Sequence, residues 1–153
     1  MNDRDRGVLT RASFGEAITL ASVSGSTATA DVTAVTNEHL QEASALLIVL
    51  NVTAQSGTSP TLDVEVQASV GGLYHEFVQF AQRGATTTKT MLNVKRGIVF
   101  TTELTLAADP AVAGTTAVVN NIDWMDTLRV TYAIGGSDTP TYSFTVTAYP
   151  IYY

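Results

Sequence analysis

The chain has 153 residues, no cysteine and a net charge of −6, a size that suits one domain around one core. Without cysteine there is neither a disulfide framework nor a thiolate metal site, and the acidic balance argues against a surface that grips phosphates, which begins with a basic patch. Charged residues make up only 14 % of the chain, against about 25 % in an average globular protein; Thr is abundant instead, as when outward strand positions carry β-branched polar side chains.

Residues 1–15, MNDRDRGVLTRASFG, hold neither helical nor strand period and read as an arm, with Val8, Leu9 and Phe14 as candidate anchors on a neighbour. No apolar segment of the kind a secretory signal needs follows the N-terminal MNDRDRG. The longest apolar run, residues 45–50, falls far below the roughly 18 residues of a membrane span. The expectation is a soluble protein made in the cytoplasm, folded as a single domain over residues 16–153.

Residues 17–23 and 27–35 read as two short strands around Ser24-Gly25-Ser26, a tight-turn sequence. Residues 36–43 break the pattern: Asn37 or Thr36 is placed to cap one helical turn, with Glu38 near its N-terminus. Residues 45–53 then form a strand with Leu46, Ile48, Leu50 and Val52 on one face and Leu47 and Val49 on the other. A strand apolar on both faces is covered on both, by a second layer or by another subunit. After the turn-like residues 55–60, residues 61–68 alternate, with Leu62, Val64 and Val66 inward and Asp63, Glu65 and Gln67 on a face expected to be wet.

Val70-Gly71-Gly72-Leu73 reads as a turn and residues 74–80 as a further strand, where Phe77 points away from Val78 and Phe80 on a strict alternation. Residues 88–95 alternate Lys89, Met91, Asn93 and Lys95 against Thr90, Leu92 and Val94. Residues 98–107 are another strand candidate, 108–114 a loop and 115–119 a short apolar strand. A second strand-turn-strand unit closes the chain over residues 128–148. It echoes residues 45–68: Pro60-Thr61-Leu62 aligns with Pro140-Thr141-Tyr142, and Leu50-Asn51-Val52-Thr53 with Leu128-Arg129-Val130-Thr131. The offset between the two alignments is two residues, which preserves strand parity. With eight to ten strands and almost no helical period, the predicted fold is all-β, an antiparallel β-sandwich of jelly-roll type with an extended N-terminal arm.

Catalytic signatures are missing. There is no G-x-S-x-G elbow, and His39 and His75, the only histidines, sit on different predicted elements, a weak basis for a metal site. Asp63 and Glu65 share a strand face, the arrangement of an ordinary wet face as well as of paired acids. Asp123, Trp124 and Asp126 are the one aromatic and acidic cluster, open to two readings: a glycan contact, or a Trp that plugs the core. Gly135-Gly136-Ser137 lacks the Lys and the helix of a phosphate loop. Asn51-Val52-Thr53 matches a glycosylation sequon within a predicted strand. No enzyme activity, metal or cofactor is expected.

The run LNVTAQSGTSPTLDVEVQASVGGLYHEF resembles a group of small virion proteins of tailed bacteriophages, with their strand, G-T-S-P-T-L turn and D-V-x-V-Q segment. LRVTYAIGGSDTPTYSFTVTA is similar to the closing unit of the same group. The matched portion, residues 45 to about 80 and 128–148, covers over a third of the chain. The resemblance implies a β-sandwich that decorates the capsid or another part of the particle; the expectation drawn from it is a decoration protein on the capsid surface of the virion, with the major capsid protein as partner, that assembles with itself as a trimer. Leu47 and Val49, with Val8, Leu9 and Phe14, are the candidate contacts. The alternative is a carbohydrate-binding or host-adhesion module that uses Asp123, Trp124 and Asp126.

Overall fold

The computed structural model describes residues 12–96, 115–120 and 124–153. The strand expected over residues 98–107 and the loop after it lie outside the described residues, as do Val8, Leu9 and Asp123. In chain order the elements are β1 (Ser13–Phe14), β2 (Ile18–Ser26), β3 (Ala30–Asp31), β4 (Val35–Thr36), α1 (Glu38–Glu42), β5 (Ala45–Val70), β6 (Leu73–Gln79), β7 (Lys89–Lys95), β8 (Val118–Val119) and β9 (Thr127–Tyr152). All strand pairings are antiparallel. The all-β antiparallel fold expected from the alternation is the one adopted.

The two strand-turn-strand units are not hairpins. Each is one strand of 26 residues, and the two pair with one another over nearly their whole length, from Ala45 opposite Ile151 to Ala68 opposite Leu128. The first half of each repeat therefore lies beside the second half of the other, giving an approximate two-fold relation. The turn-like residues fall opposite one another, with Ser56 beside Thr141 and Thr61 beside Gly135.

This two-stranded ribbon is doubled over at that point. Ser26 pairs with Tyr142 and Ala30 with Tyr132. The chain from Ser26 to Ala30 reaches at most about 14 Å, whereas a straight strand from Tyr132 to Tyr142 would span about 33 Å. The rings of Tyr132 and Phe144, on the same strand, meet edge to face with centroids 5.2 Å apart. Straight, β9 would be about 85 Å long, far beyond a compact domain of this size, whose radius of gyration is about 15 Å.

The bend has a specific chemistry. Gly57 (φ 99°) and Gly136 (φ 123°) adopt backbone that L side chains rarely enter, and Ser59, Asp138 and Thr139 are also left-handed. A Cβ on Gly57 would lie 2.7 Å from Pro140 Cα, and one on Gly136 would lie 2.9 Å from Pro60 Cα. Each repeat's glycine thus accommodates the other repeat's proline. Ser56 Oγ and Thr141 Oγ1 are 2.6 Å apart, and Thr58 Oγ1 donates to Asp138 Oδ2 at 2.5 Å. These residues kink both strands together instead of reversing either one.

Doubling creates two half-sheets from one hydrogen-bonded sheet. In the first, β7, the N-terminal half of β5, the C-terminal half of β9 and β2 lie side by side. In the second, β8, β6, the other halves of β5 and β9, and the short β3 and β4 do so. Leu46, Ile48, Leu50 and Val52 from the first half share one core with Leu62, Val64, Val66, Leu128 and Val130 from the second. Each such side chain contributes about 1.5–3 kcal/mol on burial, opposed by about 1–2 kcal/mol of backbone ordering per residue.

Three local expectations change. Residues 17–35 do not form a hairpin: β2 runs through Gly25 to Ser26, and both β2 and β3 pair with β9, following its bend. Phe77 and Val78 are both buried because the register of β5 with β6 slips there, Val66 facing Val78 and Gln67 facing Glu76. The extra residue of a β-bulge lets neighbours share a face. The face of Asp63, Glu65 and Gln67 is only partly wet: Glu65 is 1 % and Gln67 0 % exposed. Gln67 donates to Glu65 at 3.0 Å, Arg129 donates to Gln67 Oε1 at 2.6 Å and lies 3.5 Å from Asp31, and its guanidinium stacks 3.9 Å from the Tyr74 ring centroid. Hydrogen bonding and stacking let these polar groups leave water.

Helix α1 follows its sequence signal. Asn37 Oδ1 accepts from His39 N–H at 2.9 Å, with Asn37 in extended backbone as an N-cap.

Gly57→Ala and Gly136→Ala are each expected to destabilise by more than about 1 kcal/mol, through left-handed backbone and a backbone clash together. Gly71→Ala, where φ is 60° but no atom lies within 4 Å of the added Cβ, should cost less; urea unfolding of the three variants checks the order. A second expectation concerns alkaline pH. Burial, and then the charge of Asp63, raise the Tyr142 phenol above its usual 10.0. The folded state therefore keeps this proton longer than the unfolded chain does. The associated stability is intact below about pH 10 and falls as pH rises through the folded value. The denaturation midpoint should drop above about pH 10, less steeply in Tyr142→Phe.

Candidate interaction face

The register sets outward residues of the first half-sheet in four rows. Phe14, Ile151, Ala45 and Lys95 form the first, read from β1 across β9 and β5 to β7; Tyr149, Leu47 and Asn93 form the second. Thr19, Thr147, Val49 and Met91 form the third, and Ser22, Thr145, Asn51 and Lys89 the fourth. Opposed residues of antiparallel strands point to the same side. Leu47 and Val49 therefore lie at the centre of one continuous face, away from the core.

Its apolar members differ in exposure. Val49 is buried at 7 %, flanked by Met91 and Thr147, whereas Leu47 and Tyr149 are half-buried, Met91 is 61 % and Phe14 64 % exposed. Around this centre run Thr and Asn side chains, with Lys89 and Lys95 along β7. Among the described residues of the four rows there is no carboxylate, although the chain as a whole is acidic. An apolar centre with a polar rim is the anatomy of a protein contact. Phe14, anticipated as an anchor, sits at the corner of the face opposite Ile151. Met91, Tyr149 and the Thr rows escaped the sequence reading; the alternation of residues 88–95 was visible, but not which strand they flank.

Trp124 is elsewhere and enclosed. It is 1 % exposed, its Nε1–H donates to Leu40 O at 2.7 Å, the Phe77 ring lies 5.3 Å away and the Arg96 guanidinium covers the ring at 4.2 Å. Arg96 also donates to Ala43 O at 3.0 Å, Trp124 O at 2.8 Å and Gln41 O at 2.6 Å, so it satisfies carbonyls at the end of α1. Asp126 accepts from Thr127 Oγ1 through its carboxylate and from Asn37 N–H through its backbone. The Trp is the core plug of the two readings, and its ring offers no face for a sugar.

No protein-family model, curated protein or solved structure matches this chain.

The histidines are apart. His75 is buried, its Nδ1 3.1 Å from Glu76 O; His39 lies 3.5 Å from Glu42. His39 and Glu42 line a cavity of about 350 Å³ with Gly15, Glu16 and Tyr152. Burial, and then the negative charge of Glu42, raise the Tyr152 phenol above its usual value. Among the described residues no group of three or more His, Cys, Asp or Glu is placed to hold a metal ion, and no helix is long and apolar enough to cross a membrane. Asp63 accepts both its hydrogen bonds from Gln82 Nε2, at 3.0 and 3.1 Å, while Glu65 is buried.

Arg96→Ala is expected to destabilise by about 3 kcal/mol or more, because a charged group's hydrogen bonds contribute about 1.5–3 kcal/mol each and the freed carbonyls are left unpaired. Arg96→Lys, which cannot reproduce the planar fork, should fall between. Chemical denaturation with Trp fluorescence checks both, since the fluorophore sits under the substituted side chain.

Proposed function

We propose that this protein is a structural component of a tailed-bacteriophage particle, a decoration protein that binds the assembled head. The observation that carries this reading is the outer face around Leu47 and Val49, with Tyr149, Met91 and Phe14 in the same rows, on strands of the β5–β9 ribbon. The segments that bear the resemblance to phage virion proteins are the ones that build this ribbon. Such a protein acts by burying surface across subunit boundaries. Because that contact exists only in the assembled shell, it stabilises the shell by mass action. The partner is the major capsid protein, together with further copies of this chain, at the outer capsid surface of a virion made in the host cytoplasm. The reading invokes no catalytic step, no cofactor, no nucleic acid and no membrane.

The glycan-binding alternative relied on Trp124 as a stacking platform. With that ring enclosed by Arg96 and Phe77, no observation favours it.

Purified protein mixed with cognate heads that lack it should co-sediment at saturating stoichiometry and raise the temperature at which the heads lose their contents. Failure to co-sediment under any ionic condition that keeps the heads intact would falsify the proposal.

A further inference from the structure

Among the described residues, five buried side-chain polar atoms have no hydrogen-bond partner in the protein: Gln55 Oε1, Glu76 Oε1, Arg83 Nε, Thr88 Oγ1 and Thr90 Oγ1. The register gathers four of them. Thr90 lies opposite Leu50, and Gln55 opposite Tyr142. Thr88 follows one step past the Asn51–Lys89 pair, and its carbonyl accepts from Val52 N–H at 2.8 Å. Arg83 exchanges both backbone hydrogen bonds with Leu62, each at 2.9 Å. Leu50, Val52, Leu62 and Tyr142 are core residues, at most 2 % exposed, and opposed residues of antiparallel strands point to the same side. The four side chains therefore point to the core side, along the edge beside the bend where the chain crosses from the second half-sheet to the first between Arg83 and Thr88. Glu76, opposite Gln67 on the outer side, is apart from them.

We infer that this corner of the interior binds ordered water, which completes the hydrogen bonding of Gln55, Arg83, Thr88 and Thr90 and links the two half-sheets next to the bend. A buried donor or acceptor without a partner keeps its full desolvation cost. Native proteins accordingly pair nearly all such groups, and use water where no protein group is in reach. The protein groups closest in the register are already engaged: the Tyr142 hydroxyl is 3.4 and 3.1 Å from Arg83 O and Gly84 O, and Gln55 Nε2 donates to Ala85 O at 3.2 Å.

The donor and acceptor inventory sets the ligand. The bond to Ala85 O orients the Gln55 amide, so its free atom is an acceptor and calls for a donor. Arg83 Nε–H calls for an acceptor, and the two Thr hydroxyls take either role. An anion satisfies Arg83 but sets negative charge against Gln55 Oε1. A metal cation satisfies Gln55 but sets positive charge against the guanidinium. Water donates and accepts at once and carries no charge. A buried water makes about three hydrogen bonds, so roughly one or two molecules serve all four atoms.

The inference is independent of what the outer face meets. A high-resolution crystal structure is expected to show ordered solvent within hydrogen-bond distance of Gln55 Oε1, Arg83 Nε and the Thr88 and Thr90 hydroxyls. Stability supplies a second readout whose sign differs between the alternatives. Thr88→Val and Thr90→Val exchange a hydroxyl for a methyl at nearly constant volume. With the hydroxyl bonded to water, each exchange removes a bond and lowers the folding equilibrium constant about two- to tenfold in urea unfolding. With the hydroxyl unpaired, the exchange raises it. Circular dichroism of each variant verifies the fold. A corner without ordered solvent, direct bonds among the four side chains in its place, or a rise in stability in either valine variant overturns the inference.

Discussion

Everything in this molecule depends on the doubling of one two-stranded ribbon. Where Gly57 meets Pro140 and Gly136 meets Pro60, two strands that would otherwise run far past any compact core turn back together. The two halves of each strand then face one another across a shared interior. A kink in one strand alone would break the ladder, because the partner would continue straight. The symmetric placement of glycine and proline in the two repeats bends both at once and keeps the pairing on either side of the bend, with register shifts confined to its neighbourhood. Open ends are tied at the far side, where α1 connects the end of β4 to the start of β5 and Arg96 binds the helix carbonyls over Trp124.

The same doubling gives the two outer faces different characters. Both are assembled from outward positions of the same two strands, yet the first carries Leu47, Val49 and Tyr149 and the second Glu65, Gln67 and Arg129. On the second, hydrogen bonds from Gln67 to Glu65 and from Arg129 to Gln67 bring the polar groups into a network, and the Tyr74 ring stacks on the guanidinium. A satisfied network rigidifies and specifies its surroundings. The first face sets Thr, Asn and Lys side chains around apolar ones, of which Met91 and Phe14 are the most exposed. The functional proposal follows from that asymmetry.

Much of this was legible in the sequence. The strand alternation, a helix cap at Asn37 or Thr36, the Val70–Leu73 turn and the echo between the repeats were all visible in residue order, because each is a local property. Pairing partners were not. The G-T-S-P and G-S-D-T-P segments contain the residues a hairpin turn needs, and left-handed glycine serves a chain reversal as well as a kink; only the opposing strand decides between them. Phe77 conflicted with a strict two-residue period, and the conflict was the mark of a bulge. Glu65 looked wet because alternation gives the side of the sheet and says nothing of what hydrogen-bonds across it. For the interface, Leu47 and Val49 stood out by excess apolarity, while Met91 and Tyr149 joined them only through register.

The central claim is that the face around Leu47 is where this protein meets its neighbours, and the two exposed methionines among the described residues provide an internal comparison. Met91 lies on that face at 61 % exposure, while Met125 is 47 % exposed just before β9, outside the four rows. Hydroxyl-radical footprinting by mass spectrometry, in dilute solution and under conditions of association, reads both in one sample. The account predicts that association protects Met91 and leaves Met125 oxidising at its original rate. Equal rates at Met91 in both states, or protection confined to Met125, would contradict it.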